Sequence, residues 1–377
     1  MFAFPPGSAS WKNNKISTLE YLMWINIYGN RSLRDSSQYP VFPWLLTNHE
    51  FNKFDENLKN FDFRDFNYPM GLLCIDEKSR KRQEGYIETY KMMVMNLTEE
   101  NLLNIKIKEE DDSVEPTPVN NVSMAMQRKS LTSNFNKNNN ITNETSNTVL
   151  GHTRTISTMI NSNNINGNII YINEPIQDKY IPKIPDYKFD IEKLYSNQNF
   201  EYEKIPYFYG SHFSNSMYVS HYLMRIFPYC LTMIEIQKKG FDVPERLFIN
   251  LQKSFYTSIS DKGDLREIIP EFFTLPEMFL NINNLNLGEV SIDSYKKGID
   301  YDIEDEGEEN KPMTKLNEVT MPTWCKSSPF IFSEKYRKLL ELPNLNINPW
   351  IDLIFGYTQR GNKAQKAGNV YLPYSYD

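Results

Sequence analysis

Cysteine is scarce: Cys74, Cys230 and Cys325 are the three in 377 residues, far apart and in no CxxC pair. An odd, scattered set excludes a disulfide framework and a zinc ribbon, and it suits a reduced cytosolic chain. Histidine is nearly as rare, with His49, His152, His212 and His221 and no HExxH spacing. His212 and His221 are nine residues apart, roughly opposite faces of a helix, so they make no metal pair. Neither GxxxxGKS/T nor GxGxxG occurs, which removes the glycine-rich phosphate cradles. GxSxG is also missing, and with it the serine elbow of the α/β-hydrolases. Glu267 and Glu271 are available as paired carboxylates, but Glu267 reads better as the cap of a short helix begun at Asp264. A thiol or serine working with His212 is the one hydrolytic arrangement left open. The expectation is a protein that is not an enzyme and needs no cofactor or metal.

Excess positive charge is lacking too. Formal net charge is −7 and the sequence pI is about 5.4, so no basic face is provided for nucleic acid. No apolar run approaches the roughly 20 residues that cross a bilayer. Residues 1–10 have neither a basic nor an apolar region of a signal peptide. Any membrane association is therefore expected to be peripheral.

Aromatic side chains are abundant at 14%, yet mean hydropathy is −0.57. Apolar and polar residues must then be segregated along the chain. After an N-terminal tail over 1–10, residues 11–96 read as folded. Residues 97–199 turn acidic, then rich in Asn, Ser and Thr, and are expected to be a disordered insertion because they cannot offset the entropy of ordering. Folded character returns over 200–288. An acidic insertion over 289–318 follows, and folded sequence runs again over 319–377.

Helix signals mark the folded parts. Ser17-Thr18-Leu19-Glu20 is a capping box ahead of Leu22 and Met23. Asp242-Val243-Pro244-Glu245 has the same logic before Leu247, Leu251, Phe255 and Ile259. Val219, Leu223, Ile226 and Cys230 line a helix that Pro228 should kink or end. Asn348-Pro349 starts a helix that Gly356 stops. Between the helices lie Pro-aromatic stretches such as Tyr39-Pro40-Val41-Phe42-Pro43-Trp44 and Ile205-Pro206-Tyr207-Phe208-Tyr209. Proline removes a donor and holds its predecessor extended, so these predict buried extended chain outside any regular sheet.

Several blocks together resemble the BEACH domain. They include G-N-R-S-L-R-D-S-S-Q-Y-P-V-F-P-W from Gly29, F-R-D-F-N-Y-P-M-G from Phe63 and Y-F-Y-G-S-H-F-S-N-S-M-Y-V from Tyr207. Further blocks are I-I-P-E-F-F-T-L-P-E-M-F-L-N-I-N-N-L-N-L-G from Ile268, M-P-T-W-C from Met321 and W-I-D-L-I-F-G-Y-T-Q-R-G from Trp350. Ile226-Phe227-Pro228-Tyr229 departs from the family's usual acidic-Pro-Phe step.

The resemblance implies a mainly α fold with extended irregular core segments, interrupted here by two long low-complexity insertions. It implies structural roles for Arg31, Asp35, Gln38, Arg64, Glu271, Asn281, Trp350 and Asp352, with Arg31, Asp35, Gln38 and Arg64 bonding backbone. Exposed members of the two Pro-aromatic blocks, namely Tyr39, Phe42, Trp44, Tyr207, Tyr209 and His212, are the candidate interaction surface. By the same resemblance the chain is a non-catalytic scaffold module in vesicle, lysosomal or autophagic traffic, cytoplasmic and peripheral on endomembranes. Its expected partners are proteins, including a PH-like domain and a WD-repeat propeller outside this sequence. An alternative is regulation of a lipid enzyme of the neutral sphingomyelinase type; another is an inactive fragment of a larger BEACH protein.

Overall fold

The computed structural model describes residues 8–50, 54, 61–97, 184, 191, 205–238, 240–291 and 312–375. Helix α1 (Ser8–Lys12) begins within the expected tail and leads to α2 (Thr18–Tyr28). Ser17 Oγ accepts the Glu20 N–H at 3.0 Å, one half of the capping box. Glu20 does not reach back; it accepts from Trp24 Nε1. The first-turn N–H groups of Thr18 and Leu19 donate instead to Glu341, at 2.6 and 2.9 Å. Unpaired N–H groups at a helix start attract whichever carboxylate the fold delivers, here one more than 300 residues away.

Helix α3 (Glu77–Met95) carries a true capping box between Asp76 and Ser79. Its buried residues are Ser79, Arg82, Gln83 and Tyr90, so no apolar stripe announces it in the sequence. Helices α4 (Ser216–Tyr222) and α5 (Tyr229–Ile236) replace the single helix expected through Cys230, with Pro228 at the start of the second. Asp242 to Arg246 gives only a 3-10 turn over Pro244–Arg246. The long helix α6 (Leu251–Ser260) starts later, where Asn250 accepts the Lys253 N–H at 2.9 Å, and buries Leu251, Phe255 and Ile259. Asp264 to Glu267 is extended rather than helical, and α7 (Glu271–Thr274) follows it. The C-terminal part holds α8 (Pro329–Leu340), α9 (Asn348–Ile354) and α10 (Gly361–Lys366).

Extended chain fills the space between these helices. Trp44 sits at its centre, with the rings of His49, Tyr222, Phe255 and Phe272 meeting it edge-on at 5.5–6.4 Å. The extended segments touch through isolated bridges: Phe42 with Ile268, Leu46 with Phe63, Tyr209 with Tyr371 and Asn250 with Thr320. The two ends of the acidic 289–318 segment pair as antiparallel strands, β1 (Glu289–Ser291) and β2 (Met313–Lys315), so its edges are structured. Residues 292–311 of that segment lie outside the described residues, while Leu316, just past β2, is buried. Most of 97–199 also lies outside them, although Leu97 and Ile191 belong to the core and carry it into that stretch.

Buried extended chain without a sheet leaves backbone groups that must still be paired. Side chains take that task. Asn26 Nδ2 donates to Val41 O at 3.0 Å while its Oδ1 accepts the Val41 N–H at 2.8 Å, which imitates a neighbouring strand. Arg82, 3% exposed, donates to the carbonyls of Ser258, Asp261, Asp264 and Met70 at 2.7–2.9 Å. Arg225 does the same for Phe248 and Asn317. Replacing Arg82 by Met should therefore cost at least about 3 kcal/mol in urea unfolding, since each orphaned buried acceptor costs roughly 1–3 kcal/mol. Arg82→Lys should recover only part, because one ammonium cannot serve four diverging carbonyls. A loss under about 1 kcal/mol would mean water replaces the guanidinium.

Candidate functional site

The most tightly organised cluster of polar groups is buried. The Glu267 carboxylate lies 2.8 Å from Arg64 Nη1 through both of its oxygens, and the two side chains are 2% and 0% exposed. Its oxygens also accept the Trp44 N–H at 3.2 Å and Trp350 Nε1–H at 2.9 Å. Arg64 donates further to Tyr68 O, 3.1 Å away. Four sequence blocks thus meet at one carboxylate: 39–44, 63–71, 264–281 and 350–361. Glu267 is no helix cap, contrary to the expectation above; it is the acceptor that holds these blocks together. The hint was a lone acidic residue set between Leu265 and Ile268-Ile269.

A second polar line runs beside it. Tyr39 Oη donates to Glu271 at 2.5 Å. Burial keeps the Glu271 carboxyl above its ordinary range, against the pull of that hydrogen bond. Arg31 donates to Tyr39 O at 2.8 Å and to Ser214 Oγ, with its guanidinium 5.4 Å from the Phe213 ring centre. Asp35 accepts from Ser37 and from the Gln38 N–H, while Ser32 donates its N–H to Gln38 O, closing the 32–38 turn. Asn281 pairs with both backbone groups of its own loop, at Leu285 N and O. Asp352 lies half-buried on α9.

The candidate interaction surface needs correction. Tyr39, Phe42, Trp44 and Tyr209 are 0–3% exposed and belong to the core. Prolines flanking these rings keep the chain extended, and an extended aromatic segment gains most when both its faces are covered. Tyr209 even spends its hydroxyl inside, donating to Gly368 O at 2.7 Å. Tyr207 and His212 are only half-buried. The His212 ring lies against Phe213 and Tyr371, with Nδ1 3.1 Å from Ser214 O.

Hydrolytic chemistry finds little support here. Burial raises the pKa of all three thiols, that of Cys325 to about 11. Burial and the nearby Arg31 push His212 down to about 3, which leaves a weak base. Among the described residues no group of three His, Cys, Asp or Glu is placed to hold a metal.

The exposed apolar side chains lie elsewhere. Phe227 and Leu231, both 55% exposed, lead into and start α5. Asn283 Nδ2 donates to Arg225 O at 2.9 Å, which brings the loop carrying exposed Ile282 beside them. Nothing in the sequence pattern distinguishes these three from the buried apolar residues around them.

Comparison with known proteins agrees with these blocks. The chain matches the Beige/BEACH domain family over residues 9–108 and 185–377, skipping 109–184. It is 27% identical over 373 residues to Beige protein homolog 1 of Saccharomyces cerevisiae, covering 98% of this chain and 11% of that protein. It is 26% identical over 369 residues to the human Lysosomal-trafficking regulator, covering 97% of this chain and 7% of that protein. BEACH domain-containing protein B of Arabidopsis thaliana is 25% identical over 369 residues, 97% of this chain and 9% of that protein. The chain therefore spans at most 11% of the length of these relatives.

Two outcomes are expected of the buried cluster. Arg64→Met should destabilise the chain by about 3–5 kcal/mol, because it strands the Glu267 charge. The double variant Arg64→Met, Glu267→Leu should regain much of that loss; equal losses would show that the Trp44 and Trp350 bonds matter more than the charge. Acid should weaken the fold before carboxylates titrate. His49 is fully buried, and burial lowers its pKa to about 4, against about 6.5 in an unfolded chain. As pH falls below about 6.5 the unfolded state takes the proton first, so stability declines down to about pH 4, on the order of 3 kcal/mol. Urea midpoints measured across that range should fall, and His49→Gln should remove only its own share of the decline, because burial also holds His212 and His221 below the ordinary histidine value.

Proposed function

Because the chain belongs to the Beige/BEACH domain family, matched over residues 9–108 and 185–377, we propose that it is a non-catalytic interaction module recruiting proteins on the cytosolic face of endomembranes. The observation that carries this reading is a match across nearly the whole chain to relatives named for lysosomal traffic or for the BEACH domain itself. The interior supports it. Arg31, Arg64, Glu267 and Asn281 are occupied in holding backbone and each other, and burial raises the pKa of the three thiols.

Attachment to membranes would be peripheral, since among the described residues no helix is long and apolar enough to cross one. The chain aligns to only a small part of each large relative, so partners supplied by neighbouring domains fit this reading. A PH-like domain and a WD-repeat propeller are the ones proposed. On this chain, Tyr207 and His212 are the members of the original surface set that retain solvent access.

Proximity labelling of the tagged gene product in its own cell, paired with membrane fractionation, tests the proposal. Vesicle-coat, fusion or lysosomal proteins should be enriched, in a membrane fraction stripped by salt. A wholly soluble pool without membrane neighbours would overturn the trafficking role and leave the fold untouched. Combined Tyr207→Ala and His212→Ala should reduce the labelled set while the variant stays folded at the labelling temperature, although the packing of both rings on the core makes some fall in melting temperature expected. An unchanged set would remove these two residues from the surface.

A further inference from the structure

A half-open cavity of about 390 Å³ lies at the end of the C-terminal helices; Asn67, Asn346, Asn348, Asp352, Tyr357 and Thr358 supply its polar wall, and Pro349, Leu353 and Ala367 an apolar one. Its walls are fixed by contacts within the fold. Asp352 O accepts the N–H groups of Gly356 and Thr358, both at 3.2 Å, which folds the chain back over α9. Buried Asn369 clamps that return by donating to Leu353 O at 2.8 Å and Thr358 O at 3.0 Å. Gly356 packs so closely on α9 that a Cβ there would fall 2.5 Å from Asp352 Oδ1, so a side chain at that position would displace the carboxylate. Asp65 accepts from both nitrogens of Asn67 at 3.0 and 2.7 Å and sets that amide on the opposite side. Asn348 Nδ2 donates to Asn346 Oδ1 at 2.9 Å.

The Asp352 carboxylate makes no hydrogen bond or ion pair among the described residues. Partial burial holds its pKa above the ordinary value, and no neighbouring cation brings it down. The buried Thr358 hydroxyl also has no partner among the described residues. Tyr357 stands at the rim, 60% exposed, and its ring already accepts one cation, with Lys363 Nζ 4.6 Å from the centroid.

We propose that this cavity receives an arginine side chain presented by a partner polypeptide, with Asp352 as its charge partner, the three asparagines around its fork and Tyr357 as the aromatic wall. An anion would be repelled by the carboxylate. A hard metal ion needs about six oxygen ligands, and a single carboxylate makes a poor site for it. Sites for small ligands occupy roughly 300–1,000 Å³, so the cavity suits one side chain and not a folded element. A planar guanidinium matches a carboxylate beside amide oxygens and an aromatic face better than an ammonium does. The inference stands apart from the trafficking role and requires only the cavity.

Titration of the full chain with end-blocked Gly-Arg-Gly, Gly-Lys-Gly and Gly-citrulline-Gly peptides, followed by saturation-transfer NMR, tests it. The arginine peptide should bind in the millimolar range, and citrulline, the same shape without charge, at least about tenfold more weakly. Asp352→Asn should weaken the arginine peptide by a similar factor and erase its preference over citrulline. Binding by the unaltered chain should also fade as pH drops through the raised carboxyl pKa. Tyr357→Ala, at an exposed position, should weaken binding without unfolding, and together with the pH profile decides the matter if Asp352→Asn fails to fold. Equal affinity for arginine and citrulline, unchanged affinity in the variants, or no binding by the unaltered chain would overturn the proposal. Lysine binding as tightly as arginine would overturn the guanidinium assignment.

Discussion

Glu267 and Arg64 form a charge pair closed off from water, and the other motif contacts lean on it. Two buried ions lose several kcal/mol of hydration each, and their attraction repays this only with further hydrogen bonds in good geometry. Those bonds come from Trp44, Trp350 and Tyr68. The pair therefore specifies which segments meet more than it adds stability. A carboxylate buried at this spot demands donors, and three separate parts of the chain are drawn in to supply them.

The same constraint explains the buried arginines and asparagines elsewhere. In a sheet each strand satisfies the next. Here the extended segments touch only at isolated bridges, so carbonyls between the bridges need other donors. A guanidinium can serve several carbonyls at once, as Arg82 does, and an asparagine can imitate both groups of a strand neighbour, as Asn26 does. Irregular chain becomes stable interior by that substitution. It also makes the interior rich in polar residues that are occupied with backbone.

That inventory shapes the functional reading. A scaffold presents surfaces, and the surface residues are not those the motifs emphasise. The aromatic blocks that dominate the family resemblance are mostly core, while Phe227, Leu231 and Ile282 face solvent from an unremarkable stretch. Asp352 belongs to a motif block yet borders a cavity, with its carboxylate unpaired among the described residues. Position within a motif and availability to a partner are separate properties.

Capping and periodicity found α2 and α9 behind Ser17 and Pro349, and the spacing of Leu251, Phe255 and Ile259 found α6, whose cap is Asn250 and not the expected Asp242. They missed α3, whose buried face is polar, and they misplaced the helix expected at Asp264. The Pro-aromatic blocks correctly announced extended chain, and the block order alone carried the family, since such long aperiodic strings seldom arise otherwise. By itself, then, the sequence determined the helix-rich class, the absence of metal and phosphate motifs and the family resemblance. Only the tertiary structure decided that Glu267 is a hub, that Trp44 and Tyr39 are interior and that Asp352 edges a cavity. The reason is physical: spacing encodes what lies within one turn or one pleat, whereas Tyr39, Trp44 and Glu267 are paired with residues as many as 232 positions away, and the walls around Asp352 come from distant parts of the chain.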